Sequence, residues 1–217
     1  MSLEIEKKYL NPDLEAVCQR LWARGARFRS CHFEENWLFD TPDRSLRSSN
    51  ILLRLRRANG GTLTVKKKPE HAAPPVPTFK VLEELETQVE DAATMHTILE
   101  LLGYVTVFHY EKFRAMWQWE SCTICLDTLP FTQVVELEGT PESIGRAATR
   151  FGLDTLESSA KNYIQLYRDH CRSRGVHPND RFLFPETQQA ALRACAVEMT
   201  NHVTPCAVFQ RRVLQGA

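Results

Sequence analysis

Apolar and polar residues alternate with period two along much of the first 140 positions, and this alternation predicts strands. A strand over Leu3 to Leu10 leads into a helix, in which Leu14, Val17, Leu21 and Trp22 recur at helical spacing. Asn11 is placed to cap that helix, Pro12 fits its first turn, and Gly25 ends it. Further alternating runs predict strands near Phe33 to Asp40, Ile51 to Arg57, Thr62 to Lys68, Thr78 to Val89, Val105 to Trp119, Ser121 to Leu126 and Gln133 to Glu138. Two helices separate the later strands, Ala92 to Leu102 closed by Gly103 and Ser143 to Phe151 closed by Gly152. Asn59-Gly60-Gly61 between two alternating runs is a hairpin signal, and His71 to Pro77 reads as a longer loop. Eight strands in hairpin-like succession predict an α+β fold built on an antiparallel sheet or, if that sheet closes, an eight-stranded antiparallel β-barrel with helices packed outside.

After about Arg174 the pattern changes, because Pro178 and Pro185 interrupt the chain before an amphipathic stretch from Glu186 to Met199. The expected division is a main domain over 1–174 and a helical appendage over 175–217. Its Leu183, Leu192, Val197 and Met199 would cover a barrel end or contact a second subunit of a homodimer.

Composition narrows the function. Two hundred and seventeen residues, 43% of them hydrophobic, suit one large domain with an appendage. Twenty-seven basic side chains balance twenty-seven acidic ones, which removes the basic bias of a duplex-binding protein, so no nucleic-acid partner is expected and any charge-based function is local. No apolar run approaches the roughly 18 residues of a membrane span. The opening residues MSLEIEKKYL alternate rather than form a signal peptide, so a cytoplasmic location without membrane contact is expected. Seven scattered cysteines read as reduced thiols, and the Cys122/Cys125 pair lacks a second ligand pair at zinc spacing. The seven histidines show no metal-ligand spacing, and Trp37, Trp117 and Trp119 read as packing residues.

Period two also sorts the charges, since alternate side chains share a face. Glu4, Glu6 and Lys8 fall on one face of the first strand; Arg54 and Arg56, Lys66 and Lys68, Glu84 and Glu86, Lys112 and Arg114, and Glu136 and Glu138 form like-charged pairs, with Asp127 opposing Leu126. A polar face turned to water explains any one strand alone. Repeated like-charge pairs repel, however, and a divalent cation among the carboxylates together with a polyphosphate among the Lys and Arg groups would relieve both repulsions. Closing the sheet would gather these faces into a charged lumen, with hard oxygens suited to Mg²⁺ or Mn²⁺ and arginine forks suited to phosphate.

The same residues carry a family resemblance. Glu4-Ile-Glu6-Lys-Lys8 matches the ExExK motif of the CYTH superfamily, or triphosphate tunnel metalloenzymes, which includes class IV adenylate cyclases, thiamine triphosphatases and inorganic triphosphatases. It is followed in order by Arg54-Leu-Arg56, Lys66, Glu84-Leu-Glu86, Leu102-Gly103-Tyr104 before Lys112-Phe-Arg114, Leu126-Asp127, Glu136-Leu-Glu138, and Lys161 before Tyr163, so the resemblance covers about residues 3–168. It implies that Glu4, Glu6, Asp127, Glu136 and Glu138 hold Mg²⁺ or Mn²⁺, and that Lys8, Arg54, Arg56, Lys66, Lys112, Arg114 and Lys161 bind a small-molecule triphosphate. Glu4, Glu6, Lys8, Lys66 and Glu138 would carry catalysis, and Glu84 and Glu86 a second metal or the attacking water.

Three positions depart from the pattern. Leu38 stands where many members have Tyr, which leaves a Lys-Tyr base without support; Leu82 stands where an Arg often precedes the Glu84 pair; and Leu52 stands where mammalian-type thiamine triphosphatases have Trp. The activity implied is hydrolysis of the terminal phosphate of an inorganic or nucleoside triphosphate. The alternatives are cyclisation of ATP to cyclic AMP with release of pyrophosphate, and a non-catalytic polyphosphate-binding module. Because a carboxylate cluster repels itself, replacing either Glu136 or Glu138 by Gln is expected to leave metal-free stability undiminished.

Overall fold

The computed structural model describes residues 2–69 and 79–201. The expected loop from His71 to Pro77, the strand start at Thr78, Cys206, His202 and the end of the expected appendage lie outside the described residues. In chain order the elements are β1 (Ser2–Leu10), α1 (Leu14–Ala23), β2 (Arg27–Asp40), α2 (Ser45–Ser48), β3 (Ile51–Arg57), β4 (Gly61–Lys67), β5 (Lys80–Val89), α3 (Ala92–Leu101), β6 (Val105–Trp119), β7 (Cys122–Leu129), β8 (Thr132–Glu138), α4 (Pro141–Phe151), β9 (Ser158–Ser159), α5 (Tyr163–Ser173), β10 (Arg181–Phe182) and α6 (Glu186–Asn201).

Strands β1 to β8 close into a ring in the order β6-β2-β3-β4-β5-β1-β8-β7, with β7 pairing back to β6. Every pairing within the ring is antiparallel. This is the α+β architecture predicted from the alternation, and the two-residue strands β9 and β10 are additions to it. The Asn59-Gly60-Gly61 turn joins β3 to β4, with Arg57 paired to Gly61. A Cβ on Gly61 would lie 2.8 Å from the Val89 carbonyl oxygen, so glycine is needed where β4 meets β5.

The apolar outer faces are covered by helices. Phe33, Phe113, Ala115, Trp117, Ile124, Leu126, Val135 and Leu137 pack against Leu14, Val17 and Leu21 of α1, Ile144, Ala147 and Phe151 of α4, and Leu192, Cys195 and Met199 of α6. Each fully buried Leu or Phe there contributes about 1.5 to 3 kcal/mol of transfer free energy. On the opposite side, Leu53, Leu55 and Phe39 meet Ala92 and Leu99 of α3.

Several boundaries differ from expectation. Asn11 takes a positive φ of 50° and does not cap α1; Asp13 does, accepting from the Ala16 N–H at 3.0 Å. Strand β2 begins at Arg27 rather than Phe33, because its pairing with β6 runs from Gln118 to Val105. Beyond 174 the chain runs through β10 into α6. Helix α6 lies on the outer wall, where the Cys31 thiol donates to the Ala196 carbonyl at 3.2 Å and Arg193 lies 4.2 Å over the Phe33 ring. One end of the ring is covered by α5 instead, a helix the alternation did not reveal. A capping box of Asn162 and Gln165 starts it, and its Tyr163 and Leu166 join Leu38, Phe108, Tyr110 and Val134.

Candidate functional site

Because the outer face of each strand is committed to these cores, the alternate residues point into the ring. They line a cavity of about 1880 Å³ that includes Glu4, Glu6, Lys8, Arg54, Arg56, Lys66, Glu84, Glu86, Lys112, Arg114, Glu136 and Glu138. Twelve of the fourteen site residues expected from the sequence are therefore brought together. The two exceptions have physical reasons. Lys161 precedes the capping box and is turned outward, its ammonium 2.6 Å from Asp169 and its side chain 56% exposed. Asp127 faces inward but is fully buried beneath Arg114, which donates to it from Nε at 2.7 Å and from Nη2 at 2.6 Å. Its carboxylate is thus taken up by Arg114 in this structure.

The lumen has two electrostatic regions. Toward α5, Glu136 accepts from Lys8 at 2.7 Å, from Arg114 at 2.7 Å and from the Tyr163 hydroxyl at 3.0 Å. Burial pushes its carboxyl upward, but Lys8, Arg114 and Lys112 overcome this and hold it well below the carboxylate range. Tyr163 also donates to Asp127, and its phenol is pushed well above its ordinary value by burial and by the Asp127 and Glu136 charges. Burial and Glu136 likewise raise Glu6, yet Lys8 and Lys80 bring it down to about 2.

Farther along the same wall the balance reverses. Glu138 pairs in register with Glu6, and its carboxylate has no hydrogen-bond or ion-pair partner among the described residues. Burial first, then Glu4 and Glu136, push its carboxyl up to about 7. Glu84 is also raised, by burial against the opposing pull of Lys66, with Glu4 and Glu86 adding to the rise. Lys66 bonds Glu4 and lies 3.1 Å from Glu84. On the facing side Arg54 reaches Glu86 at 3.2 Å, while Arg56 lies 3.7 Å from Glu86 and 4.0 Å from Glu34.

Two lumen residues were missed from the sequence. Glu34 is fully buried 3.5 Å from Lys112 and 2.8 Å from His32. Its neighbour Glu35 points outward to Arg57 at 2.5 Å, so only the phase of β2, fixed by outward Phe33, separates the two acids. Lys80, the first residue of β5, is registered against Glu6 with its ammonium 2.9 Å away. Extending the Glu84 and Glu86 alternation back by two steps would have found it. Burial lowers its pKa below the ordinary lysine value, with Lys8 and Lys66 contributing, against the pull of Glu6.

Among the described residues no three Asp, Glu, His or Cys side chains converge on one point, because lysine and arginine groups stand between the acids. The donor set nevertheless suits a hard divalent cation: Glu4, Glu6, Glu136 and Glu138 supply carboxylate oxygens along adjacent strands, and the raised Glu138 marks a place where negative charge is in excess. The Cys122/Cys125 pair cannot share an ion, since Cys122 sits in the outer core and Cys125 three residues on faces inward beside Arg114.

Residues 2–150 match the model of the CYTH domain, and the chain belongs to that family. It is 28% identical over 125 residues, 58% of this chain and 69% of the other, to a Methanocaldococcus jannaschii protein that carries a provisional adenylate cyclase name. Among solved structures, one from Vibrio parahaemolyticus with a similar provisional name superposes with a TM-score of 0.63 at 20% identity, covering 76% of this chain and 97% of that one. A Hippeastrum protein, first named an adenylyl cyclase and described as having a dominant triphosphatase activity, superposes at 0.59 with 18% identity over 83% of this chain and 99% of its own. At these identities the superpositions establish the fold. Among the described residues no helix is long and apolar enough to cross a membrane.

Proposed function

We propose that this protein is a triphosphatase dependent on Mg²⁺ or Mn²⁺, removing the terminal phosphate of an inorganic or nucleoside triphosphate. The observation that supports the reading most is the composition of the cavity: Lys8, Arg54, Arg56, Lys66, Lys112 and Arg114 face Glu4, Glu6, Glu136 and Glu138 across one lumen. Phosphoryl transfer asks chiefly for positioning and neutralisation of spreading negative charge, and fixed guanidinium and ammonium groups supply both. Glu4, Glu6, Glu136 and Glu138 would hold the cation, whose contribution is to neutralise phosphate oxygens. Arg54 and Arg56 would grip the chain with forked donors; Lys66 and Lys8 would hold single oxygens. A water held by Glu84 or Glu86 would attack the terminal phosphorus as its bond to the bridging oxygen breaks.

The name of the Methanocaldococcus jannaschii relative favours a second reading, adenylate cyclase, in which the ribose 3′-hydroxyl attacks the α-phosphorus. Product analysis decides between them. Purified protein is incubated with tripolyphosphate, ATP and thiamine triphosphate, each with Mg²⁺ or Mn²⁺. Orthophosphate is the expected product. Cyclic AMP with pyrophosphate would replace the proposal by the cyclase, and tight binding without turnover would reduce the protein to a polyphosphate-binding module.

A further inference from the structure

We propose that Lys80 competes with a divalent cation for Glu6 and offers its charge to a substrate phosphate, making it a positioning residue for both. The inference rests on the triphosphate reading and adds to it a residue that the strand pattern had not placed in the site.

Lys8, Lys66, Lys112 and Lys80 all line the cavity. Lys8 is held by two carboxylates, Glu6 and Glu136, lies 5.0 Å over the Tyr163 ring, and is 2% exposed. Lys66 is held by Glu4 and Glu84 and is 10% exposed. Lys112 stands between Glu34 at 3.5 Å and Asp127 at 3.7 Å and is 3% exposed. Lys80 differs: among the described residues its ammonium has one carboxylate partner, Glu6 at 2.9 Å, and its side chain is 21% exposed to the cavity it lines.

An ammonium carries three donors on a flexible four-carbon stem, so one bond to Glu6 leaves donors that a phosphate oxygen can take. Glu6 meanwhile serves both Lys8 and Lys80. A divalent cation binding to Glu6 must displace positive charge from it, and Lys80 is the group with fewer bonds to lose. Removing the Lys80 charge should therefore move two affinities in opposite directions. A cation should bind more tightly, and a polyanion more weakly.

The experiment is isothermal titration of wild type, Lys80→Met and Lys80→Arg, with Mn²⁺ alone and separately with tripolyphosphate in EDTA. Lys80→Met is expected to weaken tripolyphosphate binding about tenfold, the value of one charge-assisted contact, and to tighten Mn²⁺ binding about threefold. Lys80→Arg keeps the charge and should stay within about threefold of wild type for tripolyphosphate. Unchanged tripolyphosphate affinity in Lys80→Met would overturn the proposal, as would a parallel fall of both affinities, the signature of a purely structural role. Should Lys80→Met fail to fold by circular dichroism, Lys80→Gln replaces it with the same expected signs. Failure of the wild type itself to bind tripolyphosphate would refute the underlying triphosphate reading, and that result is read before any variant is compared.

Discussion

Glu136 and Glu138 stand two residues apart on the same face of β8, yet they live in opposite electrostatic worlds. Glu136 receives Lys8, Arg114 and Tyr163 and is held as a carboxylate well below its ordinary range. Glu138 receives no direct partner among the described residues and is pushed up to about 7. The difference arises from what surrounds each. At Glu136 the ring is narrowed by α5, whose Tyr163 and the buried Asp127 lock Arg114 in place. At Glu138 the neighbours across the strands are Glu6 and Thr123, and Arg114 and Lys66 pull on its carboxyl without forming an ion pair, too weakly to offset burial, Glu4 and Glu136. One region is thus a finished polar network, which fixes donors; the other has charge waiting for a counter-ion. A carboxylate pair that is identical as a motif splits into one whose charge the protein's own cations already meet and one whose charge is in excess.

The sharpest way to break this comparison is turnover. Glu138→Gln keeps size but removes a hard anionic ligand from the region in charge excess, and activity should fall about a hundredfold or more while the fold persists. Wild-type dependence of rate on Mg²⁺ or Mn²⁺ concentration in this variant would remove Glu138 from the metal site.

Stability separates the pair next, and the partners of Glu136 argue against the expectation that both substitutions leave metal-free stability undiminished. Glu136→Gln leaves Lys8 and Arg114 short of a buried partner and should cost about 3 kcal/mol. Glu138→Gln should stabilise, in a pH-dependent way. The Glu138 pKa rises from 4.5 to about 7 on folding, so the native state holds its proton longer than the unfolded chain. Below pH 4.5 the group has no effect; as pH climbs through 7, wild type progressively loses stability, by about 1 to 3 kcal/mol when complete. Melting curves in EDTA at pH 5 and pH 8 should therefore show the advantage of Glu138→Gln growing with pH. An advantage that shrinks with pH would mean Glu138 is paired in solution.

Much of this was legible in the sequence because a strand's two faces are decided by parity alone. Leu53 and Leu55 outward place Arg54 and Arg56 inward, and Leu137 outward places Glu136 and Glu138 inward, whatever the neighbours. What parity cannot supply is phase and partnership. Glu34 and Glu35 are adjacent acids, and only the core seat of Phe33 shows which enters the lumen. Lys80 shares the parity of Glu84 and Glu86, but apolar Leu82 stands between them and breaks the run of charge that marks the inward face. Lys161 lies in a connection with no parity at all, and the Asn162 capping box, not a strand, sets its direction. The contrast between Glu136 and Glu138 was hidden for the same reason: α5 brings Tyr163 to one of them from 27 residues away.

The arginines give a smaller test along the same divide. Arg56 lies in the open region, 21% exposed and no closer than 3.7 Å to a carboxylate, whereas Arg114 is forked onto Asp127. Arg56→Lys should lower kcat/KM below half of wild type, about three- to tenfold, without changing the melting temperature, because on the proposed reading only a bidentate grip on phosphate would be lost. Arg114→Lys should lower the melting temperature as well, since one ammonium cannot serve Asp127 and Glu136 together. Wild-type kinetics in both variants would mean that these side chains line an ordinary polar lumen.

The finest expected effect concerns the organic part of the substrate. A thiamine ring is a cationic heterocycle that gains roughly 0.5 to 2 kcal/mol from an aromatic face, and the position that carries Trp in the mammalian-type thiamine triphosphatases is Leu52 here. Trp37 cannot compensate. It lies on the outer face of β2, stacked on His109 with ring centroids 5.2 Å apart and with the Arg57 guanidinium 5.4 Å over it. Tyr163 does face the lumen, but Lys8 and Lys112 already occupy its ring at 5.0 and 5.2 Å. Leu52 offers only aliphatic surface beside Leu38 and Phe108. The catalytic efficiency on thiamine triphosphate should therefore not exceed that on tripolyphosphate or ATP, and Leu52→Trp should raise the ratio in favour of thiamine triphosphate by a few fold, about what one stacking contact supplies. A wild-type preference for thiamine triphosphate of about tenfold or more would show that an aromatic face is available after all. Phe108 and Tyr110, which line the cavity beside Leu52, would then be the side chains to replace, and Trp37 would not.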